Sequence, residues 1–445
     1  MAAGKLFSPG LLAEVRDHFV GVDGDQFSGP RIAFDSAAGA LKLKTLPPLM
    51  AQEHSVPGQL CHDFDPGTTR IKKILAQCRE DLRVFLNAKG GVLYPEFSAA
   101  EVLFRIIMAT VEYFPGTNVV TTALEHPSTY DPLKRAAAKF GKEFRVAPID
   151  RFSGRVKVES ILSLIDKDTS VLAVIHASNT TGSITDVATL CREARKINED
   201  VVIIIDGVQY APHCPIDVDG WKPDVYVFGP YKITCARGWG IGWLSDRVVN
   251  TLPKNFNNFD NQKNDNWQLG SRSHAMYAAW SDTMNYLCWL GTNFTDSTDR
   301  REQIVAGMSA VKENMLALAD LTVNGSNGTP GLSQIPGVTV YGMGEMMERT
   351  AVIIFSIDAY SAVDLLGMYC KEGIHLRVRH LDPWSITPLK GMGIDKPVLR
   401  VSMCHYASPE EVEKFLRVTA RFAKDSSGYV PSAAAQSGID ENPAG

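Results

Sequence analysis

Five consecutive apolar residues, Val201, Val202, Ile203, Ile204 and Ile205, end at an acid, Asp206. A run this apolar fits a strand covered on both faces, as in a parallel sheet sandwiched by helices. A carboxylate at the end of such a strand is costly unless a partner offsets it. A second apolar run, residues 225–228, follows Pro223-Asp224 and leads into Gly229-Pro230-Tyr231-Lys232. Two buried strands thus each deliver one ionisable group, an acid and an amine, near their carboxyl ends. That edge is where open α/β sheets bind ligands.

The chain on either side supports such a sheet. Helical spacing recurs over residues 11–19, 71–86, 102–111, 131–140 (closed by Gly141), 158–165 and 188–197. Strand-like runs cover 118–122, 144–148 and 171–176. Strand and helix alternate, as in a doubly wound sheet. Beyond the central stretch, residues 299–318 read as a long linking helix. Strands near 338–341 and 351–357 follow, then a helix over 362–372, a strand after Gly373 and another around Arg400. His405-Tyr406 reads as strand leading into a final capped helix that starts near Ser408. The fold class expected is α/β, with a large domain of mostly parallel sheet flanked by helices and a smaller α+β C-terminal domain. The boundaries expected are residues 1–34 for an N-terminal segment on the small domain, 35–295 for the large domain, 296–424 for the small domain and 425–445 for a disordered tail.

With 445 residues and 45% hydrophobic content, the chain can bury a large core. Its net charge of −5 comes without a basic tract, which argues against nucleic acid or an anionic membrane as partner. No apolar run approaches a membrane span, and the first residues lack the pattern of a signal peptide. The eight cysteines, Cys61, Cys78, Cys191, Cys214, Cys235, Cys288, Cys370 and Cys404, are scattered without a CxxC pair. That fits reduced thiols in a cytoplasmic protein better than a disulfide frame, and no metal site is expected.

An acid and a lysine at neighbouring strand ends suit pyridoxal phosphate. The lysine forms the Schiff base, and the acid keeps the pyridine nitrogen protonated so that the ring can act as an electron sink. The pattern Asp206-Gly207-Val208-Gln209, then a strand ending in Tyr231-Lys232, resembles the class V aminotransferase and cysteine desulfurase family of fold-type I pyridoxal-phosphate enzymes. The resemblance spans residues 35–422 and implies a homodimer with shared active sites and an amino acid substrate. It assigns Lys232 to the cofactor and the α-proton, Asp206 to the pyridine nitrogen and Gln209 to the phenolic oxygen or the imine. His126, after the strand 118–122, would stack on the ring and move protons. Asn179, after the strand 171–176, would lie near the phenolic oxygen and the substrate carboxylate.

The resemblance also places the cofactor phosphate at the helix start Ser98-Ala99-Ala100, where backbone N–H groups and the helix dipole favour an anion. Ser271 and Arg272 match the segment that reaches a partner's phosphate. Arg400 fits a clamp for the substrate α-carboxylate, with Arg377 the second candidate and Arg379 behind it. Ala37, in the small-residue turn after residues 32–35, would line the substrate entrance. Trp384, Tyr94, His375 and the Asn-rich residues 255–266 are candidate pocket walls. The run Gly238-Trp239-Gly240-Ile241-Gly242 reads as tight strand packing rather than a dinucleotide fingerprint.

Cysteine desulfurases carry a nucleophilic cysteine on a loop between the two arginine strands. Residues 381–388 contain none. The reaction expected is therefore cleavage of a bond at the substrate β-carbon, C–S or C–C, by a lyase without a cysteine nucleophile. A class V aminotransferase is the alternative, and a ligand-binding protein without turnover is the second alternative.

Overall fold

The computed structural model describes residues 4–56, 64–253, 267–268, 270, 272–326, 328–343, 346–425, 429 and 431–432. A seven-stranded sheet organises it, built from β1 (Val92–Glu96), β2 (Asn118–Thr122), β3 (Glu143–Ala147), β4 (Thr169–Ile175), β5 (Val202–Asp206), β6 (Val225–Phe228) and β7 (Gly240–Leu244). Their order across the sheet is β1-β7-β6-β5-β4-β2-β3. β7 runs antiparallel to both neighbours, and the other pairs are parallel.

The unbroken apolar character of β5 has a direct cause. Val202 and Ile204 face one core, with Val102, Ile106, Leu133 and Val171. Ile203 and Ile205 face the other, with Leu172, Val174, Tyr226 and Phe228. Helices cover both faces, so every position of the strand is buried. Principal helices are α1 (Pro9–Asp17), α2 (Pro66–Leu86), α3 (Ala99–Tyr113), α4 (Pro127–Phe140), α5 (Val187–Ile197) and α6 (His274–Gly291). The glycine run is close packing, as expected. A Cβ on Gly240 would stand 2.0 Å from the Ala99 nitrogen, so β7 can press against the start of α3 only as glycine.

A long helix, α7 (Arg300–Asn324), capped by Asp299, leads to a second sheet. It comprises β8 (Val338–Tyr341), β9 (Val352–Ile357), β10 (Arg377–Arg379) and β11 (Val398–Ser402), in the order β8-β9-β11-β10, all antiparallel. Helices α8 (Ala362–Lys371) and α9 (Pro409–Lys424) pack with it, and α9 opens on a Ser408/Glu411 capping box.

Two local expectations change. The strand after Gly373 divides: Ile374–His375 pairs in parallel with Ile32–Ala33, while β10 joins the four-stranded sheet. His405 and Tyr406 form a turn rather than strand, because β11 ends at Ser402 and Ala407 N–H closes back on the Cys404 carbonyl. After Ile32–Ala33 the chain runs along β11, where the Ser36 hydroxyl donates to the Met403 carbonyl at 2.7 Å and Ala37 N–H donates to Ser402 Oγ at 3.0 Å. Residues 255–266, Ser271, Cys61 and most of the tail lie outside the described residues. Among the described residues no helix is long and apolar enough to cross a membrane, and no cluster of three metal-ligating side chains occurs.

Candidate active site

The carboxyl ends of β2, β4, β5 and β6 lie along one edge of the large sheet, and each leads to one of the candidate residues. After β6, a single 3-10 turn (Pro230–Lys232) buries Lys232, whose Nζ donates to Gln209 Oε1 at 3.1 Å. Burial, with Arg400 and Arg379 nearby, lowers the Lys232 ammonium to about 7 against the pull of Asp206 and Asp35. A large share of this amine is therefore uncharged and nucleophilic near neutral pH.

Asp206 closes β5. Its Oδ1 accepts from Val208 N–H at 3.0 Å and its Oδ2 from the Thr129 hydroxyl at 3.1 Å. Burial pushes this carboxyl up, opposed by those two donors and by Lys232. It is an acid with neutral hydrogen-bond partners, suited to a cationic ring nitrogen.

His126 follows β2 and caps α4, its Nδ1 accepting from Ser128 N–H at 3.2 Å. Capping and a place at the site coexist, because the ring lies 5.4 Å from Trp384 and the charges of Lys232 and Arg379 act on it. Burial, reinforced by those cations, lowers His126 to about 3. From β4, Asn179 reaches the site through its backbone, its carbonyl accepting from Arg400 Nη1 at 2.9 Å.

The small sheet closes the site from the other side. Arg400, 1% exposed, binds Asp35 Oδ1 through Nη2 at 2.6 Å. Arg377 Nε donates to Asp35 Oδ2 at 2.8 Å, with its side chain 40% exposed. Ala37 is buried two residues beyond Asp35.

At the helix start, the Ser98 hydroxyl caps α3 by accepting from Glu101 N–H at 3.1 Å. The N–H groups of Ala99 and Ala100 are among the leading donors of α3, which have no intrahelical acceptor. Arg272 pairs with Glu96 at the end of β1 and stacks on Phe97, 3.8 Å from the ring centre. Tyr94 donates to Glu96 at 2.7 Å in the same corner. His375 pairs with Ala33, away from these groups.

Residues 32–278 match the Aminotransferase class-V family. The chain belongs to the class-V aminotransferase family. A cysteine desulfurase of Yersinia pseudotuberculosis is 26% identical over 321 residues, 69% of this chain and 72% of that protein. One from Yersinia pestis aligns over the same shares at the same identity. Among solved structures, the apo cysteine desulfurase of Thermococcus onnurineus superposes with a TM-score of 0.79 at 20% identity, covering 95% of this chain and 99% of that one. A cysteine desulfurase from Escherichia coli gives 0.74 at 20% identity over 94% and 99%. At these identities the superpositions establish the fold, that of fold-type I enzymes.

Class-V aminotransferases and cysteine desulfurases depend on pyridoxal phosphate. The residues present fit that group. A buried amine with a pKa near neutrality suits the aldehyde, and a buried carboxyl with only neutral hydrogen-bond partners suits the ring nitrogen.

Three side chains join the candidate site of this class-V family member without having been singled out for it, and a fourth, Arg379, changes rank. Thr129 holds Asp206. His213 meets the Gln209 amide nitrogen at 3.2 Å through Nε2, so the amide is held between histidine and lysine. Asp35 bridges two arginines. Arg379, 7% exposed, is far better buried than Arg377. Thr129 follows His126 by one helical turn and His213 follows Gln209 by four residues, spacings that could have pointed to both.

Proposed function

We propose that this protein is a pyridoxal-phosphate lyase that cleaves a bond at the β-carbon of an amino acid, C–S or C–C, without a cysteine nucleophile. It works as a cytoplasmic homodimer, with residues 35–295 and 296–424 as its two domains. The observation that carries the reading without a cysteine nucleophile is the loop between the arginine strands, residues 381–388, which holds no cysteine. Burial raises the pKa of all seven described cysteines, to about 12 for Cys404 and about 11 for Cys235. None is poised as a thiolate. The loop between the arginine strands offers Trp384 near His126 instead.

Bound between Lys232 and Asp206, the cofactor supplies an electron sink for charge developing at the substrate α-carbon. Lys232 Nζ would hold it and would be the base for the substrate α-proton. Its pKa of about 7 suits both giving and taking a proton. Asp206 keeps the ring nitrogen protonated, and Thr129 and Val208 N–H fix the carboxyl for that task. Gln209 orients the Lys232 amine, and the His126 imidazole, neutral above about pH 3, covers the ring. Arg400 seats the α-carboxylate, with Asn179 O and Asp35 holding its guanidinium. Ala99 and Ala100 N–H, Ser98, Ser271 and Arg272 serve the phosphate.

The test is an absorbance spectrum of loaded protein with a panel of amino acids. The lyase keeps its yellow band while ammonia and a keto acid, or an altered amino acid, accumulate. Stoichiometric bleaching by an amino acid, reversed by a keto acid, would establish the aminotransferase instead. Full biological activity of Lys232→Ala would point to a binding protein without turnover.

A further inference from the structure

Three arginines stand on one face of the small sheet. Arg377 and Arg379 are two residues apart on β10, so their side chains leave on the same side. Arg400 on β11 is the register partner of Arg377 and shares that side. Like charges directly opposite each other destabilise a sheet. The one carboxylate hydrogen-bonded to them among the described residues is Asp35, and both of its oxygens are committed, one to Arg377 and one to Arg400.

Arg379 is left over. Its Nη2 donates to the Trp384 carbonyl at 2.9 Å, and its buried Nε has no hydrogen-bond partner among the described residues. Asp35 and Asp382 reach it only through space. Burial, with Arg400 beside it, pulls Arg379 down to about 9. A buried guanidinium without its own anion is costly, and its rigid fork of donors suits a carboxylate. Arg379 holds the Trp384 carbonyl, and the Trp384 ring lies 5.4 Å from that of His126, which sets Arg379 beside the candidate site. A cavity of about 300 Å³ is lined by Trp384, whose carbonyl Arg379 binds, with Tyr130, Glu125 and Asp131 among others. Burial raises Glu125 to about 8, so it is uncharged at neutral pH, and Asp131 is exposed to solvent.

Three guanidinium charges thus face one carboxylate, an excess of two. We infer that the substrate is an amino acid whose side chain carries a second acidic group, with its α-carboxylate at Arg400 and the side-chain acid at Arg379. This rests on the reading of the protein as an amino-acid enzyme and narrows its substrate class.

The experiment is a spectral titration of cofactor-loaded protein with L-aspartate, L-glutamate and L-cysteate against L-asparagine, L-glutamine and L-serine. At least one acidic member should bind tenfold or more tighter than its neutral counterpart. Arg379→Gln should bring that ratio near one and Arg379→Lys should keep part of it, each compared in protein that is fully loaded with cofactor. Removing an unpaired buried cation should also leave the melting temperature of Arg379→Gln equal to or above that of the parent. Neutral amino acids binding as tightly as acidic ones, or a ratio that survives Arg379→Gln, would overturn the inference. Response to neutral amino acids alone would overturn it while leaving the amino-acid enzyme intact. No response to any amino acid by the yellow, loaded protein would sink both.

Discussion

On the large-sheet side of the site, removal from water is the largest influence on Lys232, His126, Glu125 and Asp206. It drives each towards its uncharged form: the amine to about 7, the imidazole to about 3, Glu125 to about 8 and Asp206 upwards. On the small-sheet side, burial pulls Arg379 down only to about 9, so this guanidinium keeps its charge at neutral pH. The difference separates two tasks. Lys232, the group that must gain and lose protons, sits where burial moves it towards neutrality, and groups that must hold anions are of a type burial cannot discharge at physiological pH.

The sharpest way to break this division is at its proton-handling end. Lys232→Ala should abolish turnover, assayed by product release. Asp206→Asn should keep the covalent attachment and the yellow colour but lower kcat by about 100-fold or more, as for removal of a preorganised charge at a reaction centre. At the anion-holding end, Arg400→Gln should raise KM by about 10- to 100-fold with a smaller change in kcat, the size of a lost charge-assisted hydrogen bond. Equal losses in KM and kcat would move Arg400 from binding into chemistry.

Asp35→Asn should cost about 2 kcal/mol in denaturant unfolding, below the range for fully buried pairs because Asp35 and Arg377 are partly exposed. The smallest effect expected is on pH dependence. Lys232 has a folded pKa of about 7, below its ordinary 10.5, so between these values the unfolded chain binds more protons. In the cofactor-free protein its contribution therefore makes stability rise with pH across that window. Lys232→Met should be the more stable protein at pH 7, and its lead over the parent should shrink towards pH 10.

Much of this was legible in the sequence because the decisive residues are local. Asp206, Gln209 and Lys232 fall within two strand ends, and strands buried on both faces advertise themselves as unbroken apolar runs. β5 and β6 stand within a residue of their expected places for that reason. The arginines were harder. Alternation put Arg377 and Arg379 on one face, but which one is buried depends on how the end of β10 meets the large sheet. Asp35 is 365 residues from Arg400, and no local pattern announces that pairing. Ser98 shows another limit, since one hydroxyl motif serves equally as a helix cap and as a phosphate donor.

The most direct test of Lys232 as the buried, readily deprotonated anchor is the visible spectrum of the purified protein after incubation with pyridoxal phosphate, beside Lys232→Ala treated identically. A yellow band present in the parent and missing from the variant is the expected result. A parent that stays colourless, or a variant with the same band, would contradict it.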